Sequence, residues 1–372
     1  MKLTIDRAQL LKALAHVQSV VERRNTIPIL ANVYLRAGED ALALTATDLD
    51  LTVAESASAA VEQAGATTAP AHTLYDIVRK LPDGAQVELA HDTGAGQVRL
   101  TAGRSTFQLA TLPKEDFPDV GGGELPQTFG VTGAELRNLV DRTRFAISTE
   151  ETRYYLNGIY LHATKSGDAE VLRGVATDGH RLARFETDLP EGAAGMPGVI
   201  VPRKTVNELR KLIDDTEEPV EVSLSDSKIR FAFGATVLTS KLIEGTFPDY
   251  ERVIPAGNDK VMTVDRKQFT AAVDRVSTIS TEKSRAVKLA LSDNEITLSA
   301  TSPDAGHASE QLEIDYNGDH LEIGFNSKYL MDIAERIDGG TAQFSFADPA
   351  SPTIVRDTEN ASALYVLMPM RV

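Results

Sequence analysis

Hydrophobic and polar residues follow one order in three stretches of the chain, which begin near residues 3, 129 and 262. In each stretch an alternating segment predicts a short strand, and apolar residues three and four positions apart then predict an amphipathic helix. Asp6, Thr132 and Asp265 stand between the two segments, where an N-cap is expected. The three helices match at the positions Leu10, Leu11, Leu14 and Val17; Leu136, Leu139, Val140 and Thr143; Phe269, Ala272, Val273 and Val276.

A second amphipathic helix is predicted in each stretch, over residues 73–81, 203–213 and 327–337. Turn-forming residues follow each helix, and alternating segments then predict a strand, a hairpin and another strand. The tripeptide Phe-Pro-Asp recurs at residues 117–119 and 247–249. A period of about 130 residues is too long for a solenoid, so each copy is predicted to be a domain.

The pattern therefore predicts an α+β protein of three repeated domains built from antiparallel sheet and two helices each. We place the domains at residues 1–124, 125–257 and 258–372, with linkers near 121–124 and 255–258. No apolar run approaches the roughly 20 residues of a membrane helix, and the N-terminal segment lacks a signal-peptide pattern. The chain has no Cys, which excludes disulfides and thiolate metal sites and suits the cytosol.

The formal net charge of −16 argues at first against a nucleic-acid partner. The six predicted helices, taken as residues 6–19, 72–81, 133–146, 203–215, 265–280 and 327–338, nevertheless hold 16 Lys and Arg against 12 Asp and Glu. The helices thus carry about +4 and the remainder about −20. Either these basic residues decorate ordinary solvated faces, or they form a local basic surface that phosphates would meet.

Sequence motifs of enzymes are lacking: there is no nucleophile elbow, no phosphate-binding Gly-rich loop and no His pair at metal-ligand spacing. The best catalytic candidate is the segment 177–183, because Asp178 and Gly179 predict a turn beyond which His180 and Arg181 project. No nucleophile or second base accompanies them. A hairpin whose edge helps to form a pocket is the alternative interpretation.

Two further stretches are unusual. Arg153 precedes Tyr154 and Tyr155, and a strand here would place one ring on each of its faces. One ring with Arg153 suits a sugar-phosphate backbone or an unstacked base, and two half-buried sheet aromatics are the alternative. The C-terminal segment 365–372 is almost wholly apolar, so it is either a last core strand or part of a pocket for a partner.

These motifs together resemble the bacterial sliding clamps, the β subunits of the replicative DNA polymerase III, over the whole chain. The resemblance rests on the segments 28–30, 45–49, 153–158, 176–183, 200–204, 239–242, 247–250, 323–326 and 365–371. It implies a head-to-tail homodimer that closes a ring around duplex DNA, with the helices lining the hole and the sheets outside. It also implies a processivity factor that is not an enzyme and needs no cofactor or metal, in the cytoplasm at the nucleoid.

The family resemblance implies DNA contacts of no sequence specificity. The matching residues are Arg24, Arg153, Tyr154, Tyr155 and Lys204. At two other positions the chain has His72 and Glu150 where relatives have Arg and Gln, so these two are not assigned to DNA. Arg24 lies in a small basic loop predicted after the first helix.

The resemblance also implies a pocket between the second and third domains for peptides of the polymerase α subunit, the clamp loader and other proteins with a clamp-binding motif. Met side chains give such a pocket an adaptable lining for Leu and Phe anchors, and Arg371 is expected to bind an acidic group. The matching residues are Leu156, Thr177, Gly179, His180, Arg181, Leu182, Pro248, Arg252, Val253, Val366, Met368, Pro369, Met370 and Arg371.

At the dimer contact the resemblance implies that Phe107 and Leu109 of one subunit face Thr278 and Ile279 of the other. Relatives have two apolar residues in place of the second pair.

Two other classes of function compete with a clamp. An enzyme would centre on Asp178 and His180, so that His180→Ala abolishes turnover. A protein-interaction scaffold would never meet DNA.

Overall fold

Antiparallel strands form four sheets in this computed structural model, which describes residues 1–92, 94, 96–120, 123–213, 219–280 and 285–371. The first repeat begins with a strand in which Leu3 and Ile5 are buried and their neighbours are partly exposed, as the alternation predicts. Its elements are β1 (Lys2–Asp6), α1 (Arg7–Gln18), β2 (Asn32–Gly38), β3 (Ala41–Thr47), β4 (Leu51–Ser58), β5 (Ala60–Gln63), β6 (Gly65–Pro70), α2 (Ala71–Lys80), β7 (Gln86–Asp92), β8 (Gln97–Ala102) and β9 (Ser105–Ala110).

The second and third repeats have the same order of strand, helix, strands, helix and strands. The second contains β10 (Gln127–Val131), α3 (Gly133–Thr143), β11 (Gly158–Ser166), β12 (Ala169–Thr177), β13 (Arg181–Asp188), β14 (Val199–Pro202), α4 (Arg203–Leu212), β15 (Val220–Leu224), β16 (Lys228–Phe233) and β17 (Thr236–Lys241). The third contains β18 (Lys260–Asp265), α5 (Arg266–Ser277), β19 (Ala286–Ser292), β20 (Glu295–Ser302), β21 (Gly306–Glu313), β22 (Leu321–Asn326), α6 (Ser327–Ala334), β23 (Thr341–Phe346), β24 (Thr353–Asp357) and β25 (Ala363–Leu367).

Side-chain caps begin α1 and α5 where the sequence predicts them. Asp6 accepts hydrogen bonds from the N–H groups of Ala8 and Gln9 at 2.8 and 3.3 Å, and Asp265 accepts one from Gln268 at 2.8 Å. These bonds satisfy N–H groups that lack a partner within the helix. Each predicted helix is present and begins within two residues of its predicted start, so the helical period is confirmed.

Sheet pairing joins successive repeats. The strand orders are β5-β1-β7-β8-β9, β10-β15-β16-β17-β4-β3-β2-β6, β14-β11-β12-β13-β25-β24-β23-β18 and β21-β20-β19-β22. Each eight-stranded sheet therefore takes four strands from one repeat and four from the next, through the pairs β17–β4 and β13–β25. The threefold repetition and the antiparallel α+β class are confirmed.

The described chain forms two compact units, and these do not follow the repeats. One comprises Met1–Ala134, Glu191–Ala193 and Asn207–Leu242, and the other comprises Glu135–Pro190, Ala194–Val206 and Ile243–Val372. The middle repeat is divided because each half of its strands belongs to a different eight-stranded sheet. The domain boundaries at residues 124 and 257 stay a prediction.

The helices are more basic than their predicted limits suggest. Within the observed limits, the six α-helices hold 14 Lys and Arg against 6 Asp and Glu, a net charge of +8 in a chain of −16. The difference arises because the observed helices exclude the acidic caps and the acidic residues after their last turns. None of the helices in the described ranges has the length and apolar character to cross a membrane.

Candidate functional site

The turn between β12 and β13 is held by hydrogen bonds from side chains to the backbone. The Asp178 carboxylate accepts from the N–H groups of His180 and Arg181 at 2.9 and 3.0 Å, and the Thr177 hydroxyl donates to the Arg181 carbonyl at 2.7 Å. Gly179 has a φ of 88°, and a Cβ there would lie 2.6 Å from Nη1 of Arg153. The turn therefore requires Gly for its backbone conformation and for the space it leaves.

Arg181 is a predicted pocket residue, yet its side chain is only 9% exposed. It donates to Asp178 at 3.1 Å, to Asp332 of α6 at 2.5 Å and to the Phe145 carbonyl at 2.7 Å. The same group lies 4.3 Å from the centroid of the Tyr329 ring. Its hydrogen bonds hold the β12–β13 hairpin against α6, so Arg181 supports the hairpin and does not line an open surface.

The C-terminal strand brings three predicted pocket residues into one apolar cluster. β25 pairs with β13 so that Val366 lies opposite Leu182, and the Met368 N–H donates to the His180 carbonyl at 2.9 Å. The cluster consists of Leu156, Val175, Leu182, Ile200, Phe247, Tyr250, Ile354, Leu364 and Val366. The predicted residues on neighbouring positions are exposed: His180, Pro248, Arg252, Val253 and Met368.

The remaining predicted residues of the tail line a groove of about 770 Å³ beside the third-repeat sheet. Pro369, Met370 and Arg371 form one wall, and the Met370 N–H donates to the Gly324 carbonyl at 2.9 Å. Lys288 lies on another wall, 3.2 Å from Glu322. The predicted pocket residues thus lie in two places, an apolar cluster under the hairpin and a groove of mixed polarity along the tail.

A buried ionic network beneath the pocket was not predicted. Arg173 is 2% exposed and donates to Glu186 at 2.9 Å, to the Tyr250 hydroxyl at 2.9 Å and to Glu251 at 2.7 Å. Nε2 of His162 lies 3.0 Å from the same hydroxyl. Burial, aided by the positive charge of Arg173, lowers the pKa of His162 to about 4, so this imidazole is neutral at pH 7.

Aromatic stacking completes this support. The Tyr160 ring stacks on His162 at 4.5 Å and on Phe247 at 4.9 Å between centroids, so the network holds the second Phe-Pro-Asp segment in place. The sequence contains a signal for it, because Arg173 interrupts an apolar run and a buried Arg requires anionic partners. Its cross-strand neighbour Glu186 becomes evident only from the register.

The expectation that Arg153 and the two tyrosines lie on a strand is wrong. Residues Glu151–Leu156 form a 3₁₀ segment that is interrupted at Arg153, whose φ and ψ are −112° and 51°. The reason is the Arg153 guanidinium, which donates to both carboxylate oxygens of Glu150 at 2.8 and 2.6 Å and to the Asp178 carbonyl at 3.0 Å. The hydrogen bonds from Arg153 lower the pKa of Glu150, so the pair stays ionised at neutral pH.

The other predicted DNA contacts differ in exposure. Tyr154 is 55% exposed and packs edge-on against the half-buried Tyr155, with 5.8 Å between ring centroids. Lys204 is the second residue of α4 and partly exposed, and Arg24 is exposed in the loop after α1 of the other unit. His72, which was not assigned to DNA, lies with Nε2 2.9 Å from the Val21 carbonyl.

The predicted dimer residues belong to different units of the chain. Phe107 and Leu109 belong to β9, where Phe107 is half-buried and Leu109 is buried in its own repeat. Thr278 is exposed and Ile279 half-buried directly after α5. In the described ranges, β9 and β21 are each the last strand of a sheet.

The threefold repeat and its sheet pairing define a protein of the DNA-clamp fold. Family models for the N-terminal, central and C-terminal domains of the DNA polymerase III β subunit match residues 1–121, 130–249 and 251–371. The β sliding clamps of Caulobacter vibrioides and Pseudomonas aeruginosa are 56% and 40% identical to the chain, each over its full length and theirs. The chain also superimposes on the Bartonella birtlesii sliding clamp bound to griselimycin, with a TM-score of 0.97, 51% identity and full coverage of both chains. The chain therefore belongs to the DNA polymerase III β subunit family, the sliding clamps.

Proposed function

We propose that two copies of the chain close head to tail into a ring that encircles duplex DNA and tethers polymerases and other proteins to it. The observation that carries the proposal is the succession of strand pairings. β4 of the first repeat pairs with β17 of the second, and β13 of the second pairs with β25 of the third. In the third repeat the strand that corresponds to β4 and β13 is β21. In the first repeat the strand that corresponds to β17 and β25 is β9.

Pairing of β21 with β9 of a second copy would continue this series, and a series that returns to its start forms a closed assembly. The charges favour the pairing. Arg99 and Arg104 are exposed on and beside the hairpin of β9, whereas β21 carries the exposed Glu313, and its Glu310 is already paired with Arg275 of the same chain. Phe107 and Ile279 would then supply the apolar part of the contact, with Leu109 acting from within its own repeat.

Electrostatics favour non-specific DNA contact. The α-helices carry +8 while the rest of the chain carries −24, and helices that line the ring would turn this charge toward phosphates. A clamp has to slide, so contact with phosphates serves it and readout of base edges would hinder it. Arg24, Tyr154, Tyr155 and Lys204 are the proposed contacts, and Arg153 joins them when it leaves Glu150.

The apolar cluster and the tail groove are proposed to bind linear peptides of the polymerase α subunit, the clamp loader and other proteins with a clamp-binding motif. Leu and Phe anchors would enter between the exposed Val253 and Met368 toward Leu182 and Val366. Arg371 would meet an acidic residue of the peptide. We propose no catalytic role for His180, and a cytoplasmic, nucleoid-associated location follows from the DNA partner.

Encirclement is tested by retention on DNA of different topology. We expect the chain, once a bacterial clamp loader has placed it on nicked circular DNA, to elute with the DNA during gel filtration and to dissociate when the circle is linearised. Phe107→Asp is expected to halve the mass in solution and abolish retention, and Ser227→Asp, at an exposed turn position of the second repeat, is the control. Retention that survives linearisation would show that the ring is wrong and that binding is an ordinary surface contact.

A further inference from the structure

The turn between β3 and β4 in the first unit repeats the hydrogen bonds of the pocket turn in the second. The Asp48 carboxylate accepts from the N–H groups of Asp50 and Leu51 at 3.0 and 2.7 Å, and the Thr47 hydroxyl donates to the Leu51 carbonyl at 3.0 Å. The Lys241 N–H donates to the Asp50 carbonyl at 2.9 Å, as the Met368 N–H does to His180. The β3–β4 turn therefore has the same backbone hydrogen bonds as the β12–β13 turn of the proposed peptide pocket.

A groove adjoins this turn on the face that corresponds to the peptide pocket. Two neighbouring cavities of about 140 and 440 Å³ share Pro118, Asp119 and Val120 as lining. Ala43 and Ser56 stand where the second unit has the larger Arg173 and Glu186, which leaves space beside Ala43 for the larger cavity. The cross-strand row His162–Arg173–Glu186 corresponds to Arg36–Ala43–Ser56.

The groove exposes aliphatic side chains within a basic rim. Leu49 is 46% exposed and Val120 is 37% exposed. Leu49 has a φ of 81°, a conformation that side chains rarely adopt, at the position where the second unit has Gly179. Lys241 and Asp50 form an ion pair at 2.9 Å within this rim. In all, four basic and two acidic residues line the two cavities: Arg36, Lys114, Lys228, Lys241, Asp50 and Asp119.

We propose that this groove is a second peptide site, which takes a linear segment with one aliphatic residue flanked by acidic residues. The aliphatic side chain would contact Leu49 and Val120, and the acidic residues would meet the rim, whose charge of +2 contrasts with the −16 of the chain. The floor has Thr52 and Thr239 where the other pocket has Leu182 and Val366, so Phe and multiple Leu anchors are disfavoured. The inference rests on the proposed peptide pocket of the second unit, whose turn this groove shares, and it adds a site that the proposed function does not include.

The test is fluorescence anisotropy of the full chain with the labelled peptide Glu-Asp-Leu-Asp-Glu. We expect saturable binding that Leu49→Gly weakens about tenfold or more, a difference of about 1.4 kcal/mol. Glycine suits a positive φ, so this variant removes the side chain without disturbing the turn, and an unchanged melting temperature verifies that. Deletion of residues 368–372 is expected to leave this peptide's affinity unchanged.

The outcomes separate this site from the proposed tail pocket. Loss of binding on tail deletion would assign the peptide to the other pocket and overturn the proposal. Equal binding of the peptide with Ala in place of Leu, or indifference to Leu49→Gly, would reduce the interaction to charge alone and also overturn it. Absence of saturable binding does the same. A Leu- and Phe-containing clamp-motif peptide tests the tail pocket separately, because its binding should depend on the tail and not on Leu49.

Discussion

The β3–β4 and β12–β13 hairpins, whose turns begin at Thr47 and Thr177, have different side chains but the same backbone hydrogen bonds. Both use a Thr hydroxyl and an Asp carboxylate to fix the turn, and in both a Tyr ring packs on the Phe of a Phe-Pro-Asp segment, Tyr34 on Phe117 and Tyr160 on Phe247. The second hairpin adds a buried network and an apolar floor, and the first has small residues and an open groove. The Thr and Asp side chains thus fix the same turn in both hairpins, and the strand residues beside it set the shape and polarity of the surrounding surface.

Removal of the network should give the largest effect. Arg173→Ala leaves Glu186 without its buried partner, and we expect a loss of about 3–5 kcal/mol in the free energy of unfolding, measured by urea denaturation. Arg173→Ala with Glu186→Ser reproduces the pair Ala43 and Ser56 of the first hairpin and should recover part of that loss. Arg230→Ala, at the exposed pair with Glu221, is the matched control and should cost below about 1 kcal/mol. If both Arg variants cost the same, the network does not support the pocket.

Exchange of the floor residues comes next. Leu182→Thr introduces the residue of the first hairpin at a buried position, and we expect it to cost about 2–4 kcal/mol in stability. Binding of a Leu- and Phe-containing clamp-motif peptide should weaken about tenfold or more in titration calorimetry. Thr52→Leu is the reciprocal variant, and it should leave that affinity unchanged. An unaltered affinity in Leu182→Thr would contradict the assignment of the apolar cluster to peptide binding.

Local periodicity made the fold predictable, because helix and strand patterns recur in all three repeats and the caps Asp6 and Asp265 mark two helix starts. The same reasoning gave a wrong prediction for the segment 153–158. Two adjacent tyrosines suggest a strand, but the ion pair of Arg153 with Glu150 spans three residues and favours a tight turn. Side-chain pairing of this kind leaves no periodic trace in a sequence.

The structure brings several of the predicted site residues together, and their binding roles stay a prediction. Family resemblance identified Leu182 and Val366, which the structure brings together, whereas no motif indicates that Arg181 faces Asp332, 151 positions away. The network of Arg173 and His162 depends on strand register and on a hydroxyl from Tyr250, and these follow only from tertiary structure. Contacts distant in sequence therefore account for what sequence reasoning missed.

Acid should weaken the second hairpin through His162. Because burial lowers its pKa from 6.5 to about 4, the unfolded chain takes up the proton first. The stability that neutral His162 provides is complete above pH 6.5 and is lost as the pH falls from 6.5 to 4. We expect the urea midpoint to fall between pH 7 and pH 5, and to fall less in His162→Phe. His320→Phe, an exposed position, serves as the control and should follow the parent chain.

The smallest expected effect concerns the ion pair of Arg153 with Glu150, which lies beside the β12–β13 turn. Gly179 accommodates the Arg153 guanidinium, which Glu150 holds by two hydrogen bonds, and the first hairpin has Leu49 at the same position. Glu150→Gln removes the balancing charge and frees Arg153 for phosphate. We expect DNA affinity to rise a few-fold and the slope of log affinity against log salt to steepen by about 0.9, the value for one more phosphate contact. Glu151→Gln is the control, because it changes the net charge of the chain equally. It separates the release of Arg153 from the general decrease in repulsion between the acidic chain and DNA. Equal gains in the two variants would mean that the ion pair does not restrain Arg153.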